Sequence, residues 1–436
     1  MESIWSASSH LPQFPRLEEN IKTDVLIIGG GMAGLLCAYE LQQAGVPYVL
    51  VEAKRICSGV TANTTAKITA QHGLVYHKLV SKFGIEKAAQ YLQANQAALE
   101  NYRRLCREID CDFEEKDAYV YSVDRPKKLD AELEALQRIG FSAELVEDVP
   151  LPLETAGAIR FPGQAQFHPL KFAAGIALGL NIFEHSPVQA FNGNVYQTDR
   201  GGIRAKKTII ATHFPIFNKH GLFPLKLYQH RSYVIALENA ADVRGMYVDE
   251  RKTGLSFRNQ GNYLLLSGGA HRTGKKGGGW TDPEAFASAH FPLAHEEFRW
   301  ATQDCMSLDG VPYIGLYSEN TPNLFVATGF NKWGMTSSMA AASLLCDLVQ
   351  EKKNAFTDLY SPQRSVLHPQ LAANVFQATM NLLTPTLPRC PHMGCALKWN
   401  PQEHSWDCPC HGSRFSKSGK LLENPSTGNL KKPPKQ

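Results

Sequence analysis

The sequence predicts an α/β protein in three parts: a parallel βαβ domain at the N-terminus, a mixed-sheet domain interleaved with it, and a small C-terminal unit. Three observations predict this. A glycine-rich turn sits between an apolar strand and a helix in "TDVLIIGGGMAGLLCAYELQQAGVPYVLVE". Helical and alternating strand patterns then fill the middle of the chain. Finally, four cysteines and three histidines crowd into "RCPHMGCALKWNPQEHSWDCPCHGSRF", residues 389–415. At 436 residues and 43% hydrophobic, the chain is long enough for two or three cores.

Charge narrows the function classes. Forty-five basic against 41 acidic residues leave a formal charge of +4, and runs such as "KKGGG" and "LKKPPKQ" are scattered rather than gathered into a stripe. Nucleic acid is therefore not an implied partner. The N-terminus "MESIWSASSHLPQFPRL" lacks a basic region followed by an apolar core, and no apolar stretch is long enough to span a bilayer. Neither signal peptide nor transmembrane segment is expected, and the expected location is the cytoplasm. Cys37, Cys57, Cys106, Cys111, Cys305 and Cys346 share no spacing and read as buried thiols of a reducing compartment.

The first element is the strand "VLII", followed by the turn "GGGMAG", a helix with Leu35, Leu36, Tyr39 and Leu41 at helical spacing, and a second strand "VPYVLVE". Gly45 falls where a left-handed cap would end the helix. This is the Rossmann-type βαβ unit of a dinucleotide site. Gly29 makes the turn, Gly31 lets the backbone approach a pyrophosphate, and Gly34 lets helix and strand pack closely. The helix N-terminus presents free N–H groups to that anion. Glu52 closes the second strand, placed to accept hydrogen bonds from both ribose hydroxyls. Lys54 and Arg55 follow as solvated charges rather than a 2′-phosphate site. The unit alone does not choose between FAD and NAD(P).

Three further segments favour FAD. "SGVTANTTAKITAQHG", residues 58–73, is a hydroxyl-rich run without amphipathic period, suited to wrapping a long cofactor. "RAKKTIIATHFP" is a strand ending in a small-residue turn at Ala211 and Thr212. "NLFVAT" leads through a glycine-bearing loop into a helix from about Thr336. Together these segments resemble the flavin-dependent amine and amino-acid oxidases, the superfamily of D-amino-acid and glycine oxidases, over residues 22–355. The resemblance implies an extended FAD with its AMP half on Gly29, Gly31, Gly34 and Glu52 and its adenine at the backbone of Val188. It places Gly334, Met335 and Thr336 near the flavin ring, with Met32, Ala33, Ala53, Thr64, Thr65 and Thr212 completing the cofactor contacts. His72 reads as a packing or hydrogen-bonding residue. The helices "GIEKAAQYLQANQAALENYRRLCREI" and "DAELEALQRIG", with strands in "DAYVYSV", "RSYVIALE" and "LSFRNQGNYLLLSGGAH", make a mixed sheet over the flavin. Its candidate substrate contacts are Arg231, Tyr233, Arg258 and His271.

In the C-terminal cluster each of two loops donates one cysteine and one histidine: Cys390 and His392, then Cys408 and His411. A tetrahedral zinc site is one reading. The interleaving suits a [2Fe-2S] centre with two cysteines on one iron and two histidines on the other. With "CPHMGC" and "CPCHGS" both present, the region resembles a Rieske domain. That resemblance implies a disulfide between Cys395 and Cys410 clamping the loops, tight turns at Gly394 and Gly412, and a hydrogen bond from Ser413 to a bridging sulfide. Two departures stand out. Phe415 replaces the tyrosine of high-potential Rieske proteins, which implies a lower potential. The strands that normally precede the first loop are also missing, since "YSPQRSVLHPQLAANVFQATMNL" reads as a linker and a short helix. Either the loops dock directly on the flavin part, or the module holds its cluster poorly.

The expected organisation is an oxidoreductase over residues 22–365, a linker at 366–385, and a Rieske-type subdomain at 386–436. Within the first part, about 22–80, 150–213 and 305–355 bind FAD, and about 81–149 and 214–304 form the substrate domain. A flavin takes electrons in pairs and a Rieske cluster carries one, so the two on one chain make a converter. The resemblance to the amine and amino-acid oxidases implies a small amine or amino acid as substrate, and a separate protein is expected as electron acceptor or donor. An O2-using oxidase with a vestigial cluster and a redox sensor without a metabolic substrate are the alternatives.

Overall fold

In the computed structural model of the protein, residues 2–217, 220–386 and 388–431 are described. The basic run that closes the chain lies mostly outside them.

Of the strands Ile21–Ile28, Tyr48–Val51, Gly202–Ile210 and Leu324–Thr328, the second and fourth are buried throughout, and the first and third are buried continuously over 25–28 and 208–210, where both faces of the sheet are covered. They pair in parallel in the order Leu324–Thr328, Gly202–Ile210, Ile21–Ile28, Tyr48–Val51, and then Ile182–Phe183. Tyr313–Leu316 closes the far edge antiparallel to Leu324–Thr328. The helix Met32–Gln43 leaves the first strand, ends beside Gly45 at φ 68°, and packs against Gly334–Val349. Gly29 stands at φ 110°, and a Cβ there would meet the carbonyl oxygen of Ala211 at 2.6 Å, so the turn excludes a side chain.

A second, nine-stranded sheet faces this one. Its order runs His295–Ser307, Leu227–Glu238, Tyr263–Arg272, Ser256–Gln260, Met246–Asp249, Glu114–Tyr121, Ala158–Gln166 and Lys67–Ile68, with Glu144–Val146 beside Ala158–Gln166. The helix Ile85–Leu105 starts at Gly84 (φ 86°) and buries Ala88, Tyr91, Leu92, Asn95, Ala98, Leu99, Tyr102 and Leu105, a three-and-four spacing. That stripe rests on Gly334–Val349, and the neighbouring helix Tyr76–Phe83 carries Pro126–Arg138.

The linker is mostly helix. Pro369–Leu383 begins with His368 accepting from the Gln370 amide at 3.1 Å and with proline at its first position. It carries no charged side chain, and it leaves Phe376, Met380 and Leu383 exposed. Asn374 accepts from Arg272 at 2.9 Å and donates to the Leu225 carbonyl at 3.1 Å, which fixes the helix to the second sheet. Among the described residues, no helix is long and apolar enough to cross a membrane.

The chain ends in four antiparallel strands of three residues each: Lys398–Asn400, Ser405–Asp407, Arg414–Ser416 and Leu421–Glu423. So small a sheet makes a thin core, and the second sheet supplies its base. Gln229 donates to the His411 carbonyl at 3.0 Å, Gln303 to the Gly412 carbonyl at 2.9 Å, and Arg272 to the Pro409 and Cys410 carbonyls at 3.2 Å. The second cluster loop therefore docks directly on the oxidoreductase part. Charge locks the junction: Arg231 bonds Glu403 at 2.8 Å and Glu423 at 3.0 Å, and Arg414 pairs with Glu403, Asp407 and Glu423 at 2.8–2.9 Å. The side chains of Arg231 and Arg414 are each 4% exposed, so these pairs are shielded from water and salt.

Removing one partner of a buried pair strands the other charge at a cost of about 3–5 kcal/mol. Arg231→Met is therefore expected to loosen the C-terminal unit at lower denaturant, seen in the fluorescence of Trp399 and Trp406. Burial would raise the Glu403 carboxyl, but Arg231 and Arg414 outweigh it and hold it down to about 2. A depressed carboxylate contributes stability above its unfolded value, so the junction is expected to weaken as pH falls from the ordinary glutamate range toward 2. An acid titration of the same fluorescence checks this.

Candidate functional site

The two sheets enclose a cavity of about 1000 Å³. At one end the helix Met32–Gln43 points its N-terminus inward, and Gly29, Gly31, Met32 and Ala33 line the wall. Gly34 is turned away, packed under the Gly29 carbonyl. Glu52 accepts the Gly30 amide through one oxygen and the Lys54 amide through the other, both at 2.8 Å. Burial raises its carboxyl, while those amides pull the other way. Each oxygen has a second lone pair, and Glu52 lines the cavity, which suits a ribose diol. Ala53, Thr64, Thr65, Val188, Thr212, Gly334 and Met335 line the same space.

Two expected residues sit differently. Thr336 faces the protein interior, where its hydroxyl meets His72 at 3.0 Å and donates to the Thr69 carbonyl at 3.2 Å. His72 borders the cavity, but both ring nitrogens are engaged, Nδ1 with Tyr91 at 2.6 Å and Nε2 with Thr69 and Thr336. Burial lowers it to about 3, so it is neutral, and it stacks on Trp333 at 4.9 Å.

The expected substrate contacts require correction, for none of the four lines the cavity. Strand alternation puts His230, Ser232 and Val234 on the cavity face and sends Arg231 and Tyr233 to the opposite one. Arg231 serves the junction. Tyr233 and His271 meet at 3.0 Å, with Asn400 of the C-terminal unit 3.4 Å from the Tyr233 hydroxyl. Arg258 is fully buried, donates to the Ala66 carbonyl at 3.1 Å, and lies over the Trp5 ring at 5.3 Å. The polar groups that do face the cavity include Lys67, His230, Asp304 and Lys332. Lys67 donates to Ser256 at 2.5 Å, and burial, aided by Arg258, lowers it to about 7.

At the C-terminal unit the two loops repeat one geometry. Gly394 N donates to Cys390 O and Gly412 N to Cys408 O, each at 2.9 Å, with both glycines left-handed. Cys390 and Cys408 are buried, unbridged thiols. Contact with Cys408, with help from Ser413 and the amides of His392 and Met393, holds Cys390 below the usual thiol range, while the shared proton pushes Cys408 up. The His392 and His411 rings lie 4.9 Å apart, and His411 Nδ1 is buried without a hydrogen-bond partner. Two adjacent thiols and two adjacent imidazoles fit a cluster ligated half by sulfur and half by nitrogen. Cys395 and Cys410 form a disulfide across the loops, with Cα atoms 6.7 Å apart.

The profile of the FAD dependent oxidoreductase family matches residues 24–348. The chain belongs to that family. A Rieske [2Fe-2S] domain profile matches residues 373–434, so the protein is an FAD-dependent oxidoreductase carrying a Rieske domain, with FAD and a [2Fe-2S] cluster as cofactors. A Bacillus subtilis (strain 168) protein named for its Rieske 2Fe-2S iron-sulfur centre, YhfW, is 35% identical over 99% of this chain and 97% of its own length. Gamma-glutamylputrescine oxidoreductase of Escherichia coli (strain K12) is 24% identical over 81% of this chain and 90% of its own length. Among solved structures, glycine oxidase from Geobacillus kaustophilus superposes with a TM-score of 0.67 at 22% identity, covering 79% of this chain and 99% of that one, which shows the shared fold.

Serine is a poor iron ligand where a thiolate is required. Cys408→Ser is therefore expected to lower iron per chain at least tenfold while bound flavin stays constant, measured by iron assay and absorbance on one preparation.

Proposed function

We propose that this FAD-dependent oxidoreductase oxidises a small amine or amino acid and releases the electrons one at a time through its cluster to a separate protein. When bound, FAD takes an electron pair from substrate, and the [2Fe-2S] cluster passes on single electrons. The cavity residues Gly29, Gly31, Met32, Ala33, Glu52, Thr64, Thr65, Val188, Thr212, Gly334 and Met335 would hold FAD, and Cys390, Cys408, His392 and His411 the cluster.

One observation carries the reading. Residues 211–214 join the cofactor cavity to the cluster loops without an intervening layer. Ala211 and Thr212 line the cavity, and Phe214, two residues on, sets its ring against His392 at 6.2 Å and His411 at 6.0 Å. Asn424 ties the same segment to the C-terminal unit, donating to the Thr212 carbonyl at 2.6 Å and to the Phe214 carbonyl at 3.2 Å. The cavity wall itself includes Glu423, Asn424 and Ser426. So close a junction suits electron transfer within the chain. The six cysteines outside the cluster unit are unbridged, which suits a reducing compartment, and we place the protein in the cytoplasm.

The test is anaerobic. A panel of amines and amino acids is mixed with holoprotein while flavin absorbance and the EPR signal of the reduced cluster are followed together. Substrate is expected to bleach the flavin and then bring up the cluster signal. In Cys408→Ser, bleaching should persist while reduction of a one-electron acceptor such as ferricenium falls at least tenfold. Flavin bleaching that never reaches the iron would leave a plain flavoenzyme.

A further inference from the structure

The sheet face that roofs the cavity carries a polar cluster that no cofactor assignment uses. His230 on Leu227–Glu238 is the cross-strand partner of Asp304 on His295–Ser307, and Ser232 is that of Thr302. All four line the cavity, and directly opposed residues of an antiparallel pair stand about 4.5–5.5 Å apart at Cβ on one face. Lys332 enters from a third side, out of the loop between Leu324–Thr328 and Gly334–Val349, and bonds Ser232 at 3.1 Å. Asn331 and Lys332 both hold left-handed backbone, φ 52° and 75°, which non-glycine residues adopt rarely. The Asn331 side chain fixes that loop by donating to the Gly329 carbonyl at 2.6 Å and accepting from the Ser307 amide at 2.8 Å. The strained turn thus delivers Lys332 to this face.

The cluster is short of partners. His230 Nδ1 and Thr302 Oγ1 are buried without one, and Thr302 is only 8% exposed. The Asp304 side chain makes no hydrogen bond or ion pair among the described residues. Buried polar groups in folded proteins are nearly always satisfied, so two buried unmet groups beside an unpaired, half-buried carboxylate on one cavity wall point to a ligand that completes them. The charged groups around Asp304 are Lys332 in the cavity, His230 across the strand pair, and Arg231 and Glu423 at the junction behind, with Lys252 beyond Lys332. Burial lowers His230 to about 3, so it is neutral and can present a lone pair or an N–H. Asp304 and Lys332 balance each other, so the face does not select for an anion.

We propose that Asp304 seats the substrate's amine nitrogen and takes its N–H proton, with His230, Thr302 and Ser232 orienting that nitrogen, so that the substrate class is a primary or secondary amine for which a carboxylate is dispensable. The proposal rests on the amine-or-amino-acid reading above and narrows it. An ammonium substrate loses one N–H proton to an Asp304 oxygen: that N–H bond breaks and an O–H bond forms. The freed lone pair becomes the C=N bond as the adjacent C–H leaves as hydride, its electron pair going to FAD, the oxidant of the family's activity. The product is an iminium, oxidised by two electrons, and Asp304 returns its proton to cavity water. Burial raises Asp304 to about 6, with Lys332 and Arg231 opposing, which suits a group that must accept a proton near neutrality.

The experiment reads the flavin band anaerobically, before any electron reaches iron. Holoprotein is titrated with propylamine, dimethylamine, 2-aminobutyrate and N-methylglycine, following band perturbation and bleaching, with acetate as the carboxylate-only control. Amines and their carboxylated counterparts should perturb the band with affinities within about tenfold of each other. Asp304→Asn should weaken amine binding at least tenfold, leave acetate binding and flavin content unchanged, and abolish the fall in bleaching rate below pH about 6. Asp304→Glu should restore that pH limb. Amine binding and pH profile unaltered in Asp304→Asn, or no amine perturbing the wild-type band, would overturn the proposal. The same titration in the Cys408→Ser background separates the two readings. A lost electron route leaves the Asp304 effect intact, and a null Asp304 effect leaves the route standing.

Discussion

Two buried guanidiniums, Arg231 from the second sheet and Arg414 from the C-terminal unit, share the carboxylates of Glu403 and Glu423, and the rest of the architecture depends on that knot. Buried ion pairs add little net stability, because desolvating the charges offsets most of their attraction. What they contribute is uniqueness. A shifted dock would leave a bare charge in a dry interface, so only one seating satisfies all four groups. That seating sets Gly412 against Gln229 and puts Phe214 between cavity and cluster loops. A four-stranded sheet with three residues per strand could not hold this orientation through its own core.

The same knot explains what the sequence could and could not reveal. The glycine turn and Glu52 were legible because a pyrophosphate and a ribose impose a fixed spacing on one short βαβ unit. The paired Cys and His were legible because a metal centre imposes its own. Arg231, Tyr233 and His271 read as pocket residues for a physical reason. Their strands are covered on both faces, one by the cavity and one by the C-terminal unit, so polar residues occur on both and alternation does not say which face is which. Arg258 has the parity of the cavity-facing Ser256, yet lies farther along its strand, under Trp5. Asp304 carried no local signal at all in "RWATQDCMS". It acquires meaning only from a strand register that sets it opposite His230, some seventy residues earlier in the chain.

The cavity divides its chemistry by dielectric and dipole. Its nucleotide end is built from backbone, a helix terminus and a carboxylate held by two amides. The roof instead gathers titratable side chains, Lys67, His230, Asp304 and Lys332, each shifted toward its neutral form by burial. Groups poised in this way can exchange protons cheaply, which is what separates a reacting surface from a merely binding one.

The dock for the cluster loops is made of Gln229, Arg231, Arg272 and Gln303, all encoded well upstream of Cys390. During synthesis the oxidoreductase part can collapse onto its own core before the last strands leave the ribosome, since earlier domains fold first. The iron-binding tips would then meet a finished template, and maturation of the metal centre becomes a late capping event on an already shaped flavoprotein.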